Sequence, residues 1–263
     1  MQRIRLGRIA GTVAAITLFA GLSNRDVLAL MAAEVTTPSY ALKPGEVHVD
    51  LENAGIATIL RAENGRTSIA AFTTGCSYDR RLQQRSCRSH SRSDSAVTAT
   101  SLALRSLTGL PQAEFDAAST DTATVRTAVV NQWTDRGNHG KFISFRSTQR
   151  VAGLSSASAA RTMDGADTTF RSTKWGNRFA THVEQIITFS NIVVPNSSTE
   201  QYPLRGVLYT SSAHTYGAVT APRHLHANLL VYFDGTRTPE AYMSGRRYTL
   251  DLETGIATPK PID

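Results

Sequence analysis

The sequence predicts a mainly β protein, with antiparallel strands arranged as a sandwich or as one curved sheet and little helix beyond an N-terminal segment. Apolar and polar side chains alternate along short runs such as Val47–Leu51 and Arg247–Leu252, and a period of two is typical of half-buried strands. Two-residue turn signals separate several of these runs. The sequence has no comparably long run with the helical period, so a parallel sheet covered by helices is disfavoured.

The first 29 residues predict an export signal. Three arginines within the first eight residues precede an uncharged run from Ile9 to Asn24, rich in Ala, Ile, Leu, Val and Phe, as in the two leading regions of a signal peptide. A run of about 16 residues is shorter than the roughly 20 that cross a bilayer. We therefore expect cleavage after Ala29, a mature form without a transmembrane helix, and a periplasmic or secreted bacterial protein.

The rest of the chain is long enough for one substantial domain. Removing residues 1–29 takes away four arginines and one aspartate, so the formal net charge falls from +7 to +4. We expect a linker over residues 30–45 and a single β-rich domain over residues 46–263, with a candidate subdomain boundary in the small-residue stretch 153–166. The hydrophobic content of 41% indicates a globular protein with a buried core.

Local patterns place individual elements. An Asn-Gly dipeptide between branched residues predicts a tight hairpin over residues 56–73, because this pair readily adopts the positive φ angles of such turns. Pro111–Ala118 is predicted as a short helix, since proline is tolerated in a first helical turn. His182–Val194 is predicted as a long strand. Three further strands with short turns between Leu225 and Leu252 predict a C-terminal antiparallel meander.

Cys76 and Cys87 are the only cysteines, and an exported chain meets an oxidising compartment where a nearby pair closes. We predict a disulfide between them. A metal or redox site is the alternative, but the ten intervening residues do not fit the Cys-x-x-Cys spacing of such sites.

Three histidines form a candidate metal site. His224 and His226 are two residues apart in a predicted strand, so their side chains share a face, and His214 lies ten residues earlier. Paired histidines on one strand face are a common beginning of a divalent transition-metal site. The alternative is that they are ordinary polar residues on the solvent-facing side of a sheet.

An arginine-rich loop follows the first cysteine and forms a candidate anion site. Arg matches phosphate and sulfate groups with two parallel hydrogen bonds, so an anionic glycan or lipid headgroup is the expected partner class. Nucleic acid is not expected, because only Tyr78 is close enough to stack on a base. The alternative is a solvated loop without a partner. The candidate arginines are Arg80, Arg81, Arg85, Arg88 and Arg92.

No sharp catalytic signature is present in the sequence: it lacks a Gly-x-Ser-x-Gly elbow, a His-Glu-x-x-His pair and a phosphate-binding P-loop. The favoured interpretation is therefore an exported, non-catalytic binding or interaction protein that needs no cofactor. Two alternatives remain open: a metal-dependent enzyme or hydrolase centred on the histidines, and a binder of anionic polymers or lipids through the arginine loop.

Overall fold

The structure, a computed structural model, describes residues 43, 45–51, 54, 76–91, 96–134, 139–176, 179–196 and 202–261. The predicted export signal, most of the predicted linker and the predicted hairpin over residues 56–73 lie outside the described residues. The described strands are β1 (Val47–His48), β2 (Ser77–Asp79), β3 (Gln84–Ser91), β4 (Ala96–Ser106), β5 (Pro111–Gln112), β6 (Thr120–Thr134), β7 (Gly140–Ala152), β8 (Ala160–Trp175), β9 (Phe179–Pro195), β10 (Arg205–Ala218), β11 (Ala221–Phe233), β12 (Glu240–Met243), β13 (Arg246–Leu250) and β14 (Ile256–Pro259).

All of these strands belong to one antiparallel sheet, which confirms the predicted fold class. Along the sheet the order is β1, β14, β13, β12, β11, β10, β9, β8, β7, β6, β4, β3, β2, and β5 pairs with β4. From β6 to β14 each strand pairs with the next one in the chain. The predicted C-terminal meander is the β11–β12–β13 part of this series. No helix lies within the described residues.

The sheet has an inner and an outer face, defined by burial. Phe189, Leu208, Val231 and Ala241 are paired in series across β9–β12, and all four are buried. Because directly paired residues project from the same side of a sheet, they mark the inner face. Along each strand, the residues that alternate with the inner-face residues lie on the outer face.

The sheet curves around a single core. One apolar cluster contains Leu102 and Leu104 of β4 together with Leu250 of β13 and Ala257 of β14, although these strands lie near opposite ends of the sheet order. A flat sheet of this width would hold them far apart, since neighbouring strands are spaced by about 4.8 Å. Twist and curvature therefore bring both sides of the inner face onto common apolar contacts.

The six strands β6–β11 extend beyond the buried core. In β11 the inner-face residues Leu229, Val231 and Phe233 are buried, whereas every residue from Ala221 to Asn228 is exposed. The same gradient runs along β10, which is buried near Leu208 and open towards Ala218. We name the two ends of these strands the core end and the hairpin end. Strands β6, β8 and β10 end at the hairpin end, and strands β7, β9 and β11 begin there.

The predicted helix over Pro111–Ala118 is wrong. Pro111 and Gln112 form strand β5 against β4, and residues 113–119 make a turn. The Asp116 carboxylate accepts hydrogen bonds from the Ala118 amide (3.0 Å) and the Ser119 hydroxyl (2.6 Å). These bonds lower the pKa of Asp116, the Ser119 bond contributing most. The turn ends at Ser119, because strand β6 begins at Thr120.

The small-residue stretch at 153–166 contains both a loop and part of a strand. Residues 153–159 connect β7 to β8, and β8 begins at Ala160 and pairs directly with β7. Gly153 has a φ of +76°, and a Cβ there would lie 2.3 Å from the Ala160 carbonyl oxygen. The small residues thus allow a close reversal between two neighbouring strands of one sheet.

Candidate anion-binding site

The three predicted metal ligands do not lie on one face of the sheet. His224 pairs with Thr215 and His226 with Ala213, whereas His214 pairs with Leu225. His224 and His226 therefore project from the outer face and His214 from the inner face. The described residues contain no group of three or more His, Cys, Asp or Glu side chains placed to hold a metal ion. The His224 ring nitrogen Nδ1 instead lies 3.0 Å from the Thr215 hydroxyl.

The inner face carries one largely buried acid, Asp167 of β8. The Gln149 amide nitrogen donates to both of its carboxylate oxygens, at 3.0 and 3.1 Å. Burial raises the pKa of Asp167, while hydrogen bonds from Ser147 and Gln149 oppose that rise. The Gln149 amide oxygen is itself buried and has no hydrogen-bond partner in the described part of the chain. We therefore expect the Asp167–Gln149 pair to affect the stability of the fold rather than to contact a ligand.

We expect Asp167→Asn to be more stable than wild type at neutral pH. The unfolded chain ionises this acid near pH 3.8, below the raised pKa of the folded state, so folding is disfavoured once the pH rises through that folded-state pKa. Asparagine carries no charge, and after a half-turn of the Gln149 amide it can donate to the Gln149 oxygen, which has no partner among the described residues. Urea unfolding, followed from below pH 3.8 up to neutral pH, should show the two proteins diverging as the pH rises. The exposed Glu184→Gln variant is the control, and parallel profiles for Asp167→Asn and wild type would contradict the prediction.

The predicted disulfide is present. Cys76 and Cys87 are bonded, with their Cα atoms 4.9 Å apart, and the bond holds the β2–β3 hairpin. The Asp79 carboxylate accepts hydrogen bonds from the Arg81 and Leu82 amides (2.8 and 3.0 Å) and so shapes the turn of that hairpin. Both cysteines pack against the apolar core.

The arginines of this loop are not grouped as one patch. Arg80 and Arg81 lie in the exposed turn at 80–83, and Arg92 is outside the described residues. Arg85 is committed to structure, because its guanidinium donates to the carbonyl oxygens of Ala113 (2.7 Å) and Cys76 and pairs with Glu114. Among the described arginines of this loop, Arg88 alone projects from the outer face next to further arginines.

The register of the sheet places Arg88 beside Arg126 and Arg146. Arg88 pairs with Ala99, Ala99 with Ala128, and Ala128 with Arg146, which puts four residues in one row across β3, β4, β6 and β7. Three strand spacings separate the outer two, about 14 Å. Arg126 is two residues before Ala128 on β6 and therefore shares the same face.

A surface depression of about 610 Å³ lies between these arginines. The two alanines of the row leave room between the long side chains, and serine and threonine hydroxyls surround it. The residues that line it are Ser77, Ser86, Cys87, Arg88, Ala99, Thr100, Ser101, Arg126, Thr127, Ala128, Arg146, Ser147 and Thr148. None of these residues is acidic.

The positive charge of the depression is uncompensated within the described part of the chain. Arg88, Arg126 and Arg146 make no ion pair or side-chain hydrogen bond with described residues. By register, the outer face of β3, β4, β6 and β7 also carries Arg105 and Arg150, and no described Asp or Glu. Guanidinium groups bind phosphate and sulfate oxygens with paired hydrogen bonds, and neighbouring hydroxyls supply further donors.

Sequence reasoning identified Arg88 but missed Arg126 and Arg146. Both occupy polar positions of alternating strands, which is the ordinary pattern of a solvent-facing sheet surface. Only the strand register shows that they lie beside Arg88.

Comparison with known proteins gives no relative. The chain matches no family model, no curated protein and no solved structure, so its function has to be derived from its own residues.

Proposed function

We propose that this chain is an exported, non-catalytic binding protein whose ligand carries phosphate or sulfate groups. The observation that carries the proposal is the acid-free depression formed by Arg88, Arg126 and Arg146. The three guanidinium groups have no ion-pair partner among the described residues, so this part of the outer face is positive and attracts a phosphate or sulfate group. The depression is shallow and open, which suits one group of a larger ligand.

Export is supported by the sequence and by the disulfide. The arginine-led apolar segment at the N-terminus is typical of a signal peptide. The Cys76–Cys87 bond is stable in the periplasm or outside the cell, whereas cytosolic reductants oppose it. Among the described residues, no helix is a candidate to span a bilayer.

Replacing Arg126 and Arg146 tests the proposal. We expect the Arg126→Ser, Arg146→Ser double variant to bind a heparin oligosaccharide on the order of 100-fold more weakly, since each charge-assisted contact contributes about 1.4 kcal/mol. Isothermal titration calorimetry measures the change. Binding by the wild type should weaken as salt is added, because salt screens exposed charges.

The matched control is Arg80→Ser, Arg81→Ser, which removes the same charge from the exposed turn and should retain wild-type affinity. A loss in this control with full affinity in the double variant would move the site to the loop and contradict the proposal. A parallel titration with glycerol phosphate, an anionic headgroup without acyl chains, distinguishes the ligand source. Stronger binding of heparin indicates a sulfated or acidic glycan, and stronger binding of glycerol phosphate indicates a lipid headgroup.

A further inference from the structure

Several exposed apolar side chains lie at the hairpin end of the sheet. The chain has two tryptophans, and both are here: Trp133, 51% exposed, near the end of β6, and Trp175, 47% exposed, at the end of β8. Val219, in the β10–β11 turn, is 55% exposed, and Leu225 on β11 is 57% exposed. Scattered exposed apolar residues are ordinary on protein surfaces. What distinguishes the hairpin end is that it carries both tryptophans of the chain.

Strand register shows that these hairpin ends form one continuous edge. A row of directly paired residues crosses six strands, from β6 to β11, with all its members on the inner face. At the strand spacing of about 4.8 Å, this row spans roughly 24 Å. Its members are Trp133, Lys141, Thr173, Thr181, Tyr216 and Arg223.

Cations accompany the apolar groups. We define the hairpin rim as Trp133, Lys141, Lys174, Trp175, Val219 and Arg223. The described residues around it, 131–134, 139–143, 172–176, 179–182 and 216–224, contain no Asp or Glu. The rim therefore combines separate apolar side chains with positive charge that no described acid neutralises.

We infer that the hairpin rim docks on the surface of an anionic lipid bilayer. Tryptophan is favoured at the boundary between headgroups and acyl chains, where its ring is in an apolar layer while its N–H stays near water. Lysine and arginine beside it bind the phosphates of the leaflet, each contributing about 1 kcal/mol. The rim is an edge of separate hairpin ends rather than a closed groove. It therefore fits a broad, extended surface better than a folded protein that inserts a protruding segment. The surface is independent of the arginine depression, which lies on the outer face.

The two tryptophans make the inference directly measurable. We expect the tryptophan emission of the signal-cleaved protein to shift to shorter wavelength with vesicles that contain phosphatidylglycerol, and to stay unchanged with vesicles of pure phosphatidylcholine. Sedimentation with the phosphatidylglycerol vesicles should show at least a tenfold loss of binding for Trp133→Ala, Trp175→Ala. Both residues are about half exposed, so circular dichroism should show that the variant keeps the wild-type fold.

Leu107→Ala, Leu110→Ala is the matched control, since these leucines are 63% and 66% exposed but lie in the β4–β5 turn at the core end. It should sediment like wild type. The tryptophan variant should also keep wild-type affinity for heparin, so a failure of this inference and a failure of the proposed function are separable. An emission spectrum unaffected by phosphatidylglycerol, equal shifts with both vesicle types, or equal losses in the leucine and tryptophan variants would overturn the inference.

Discussion

Gly206→Ala is expected to lower the free energy of unfolding by about 3–5 kcal/mol. Gly206 lies at the start of β10, where the register with β9 shifts between Arg205 and Val207. Its φ is +120°, and a Cβ would lie 2.4 Å from the Ile192 Cα and 2.6 Å from the Asn191 carbonyl oxygen. An unfavourable φ costs on the order of 1–3 kcal/mol, and an overlap with backbone atoms of a packed strand adds about as much.

This loss is large relative to the total stability of a domain, typically about 5–15 kcal/mol. Urea unfolding followed by circular dichroism gives the midpoint and slope from which it is obtained. Gly245→Ala is the matched control, because Gly245 also has a positive φ, +78°, but a Cβ there meets no atom within 4 Å. We expect it to cost about 1–2 kcal/mol. Equal losses in the two variants would show that the close contact between β9 and β10 does not require glycine.

The same irregularity explains one limit of pattern-based prediction. His182–Val194 was predicted as a strand from its alternating apolar residues, and β9 does span this range. Asn191 has a φ of +48°, and the strand register shifts there. Ile192 is consequently fully buried, although it is an odd number of positions from Phe189. A period of two predicts a strand, but it does not predict where a bulge reverses the inward side.

β8 shows why strand length could not be predicted. Its first part carries the buried inner-face residue Met163, whereas Asp167, Thr169 and Arg171 occupy the inner face further along. The alternating pattern therefore disappears towards the hairpin end. The strand nevertheless continues to Trp175 because β7 and β9 satisfy its backbone hydrogen bonds on both sides. Local sequence predicts the buried portion of a strand, and the neighbouring strands determine how far it extends.

The same difference between local sequence and long-range strand pairing decides which parts of the candidate sites could be predicted. The disulfide was predictable because it requires only two cysteines that are close in the sequence and an oxidising compartment. The depression depends on three strand pairings, which bring together arginines that are 20–58 positions apart in the chain, Arg88, Arg126 and Arg146. His214 was grouped with His224 and His226 by closeness in sequence. In the β10–β11 register, however, it pairs with Leu225, one position from each of them, and therefore lies on the other face.

Replacing both cysteines, Cys76→Ser with Cys87→Ser, is expected to lower the free energy of unfolding by about 3 kcal/mol. The bond closes a loop between residues 11 positions apart, and chain entropy in the unfolded state gives this magnitude. The variant should also bind heparin more weakly, because Ser77, Ser86 and Cys87 line the arginine depression and the bond fixes the hairpin that presents them. Urea unfolding and calorimetry measure the two effects.

Reductant provides the control for this prediction, since it opens the bond without changing the sequence. Dithiothreitol should bring the wild type to the stability of the double-serine variant and leave that variant unchanged. The hairpin has other contacts, because Arg85 also joins it to Glu114 and the Ala113 carbonyl, so the folded state should persist at reduced stability. A wild type equally stable with and without reductant would show that this ion pair and the packing of the cysteines hold β2 and β3 on their own.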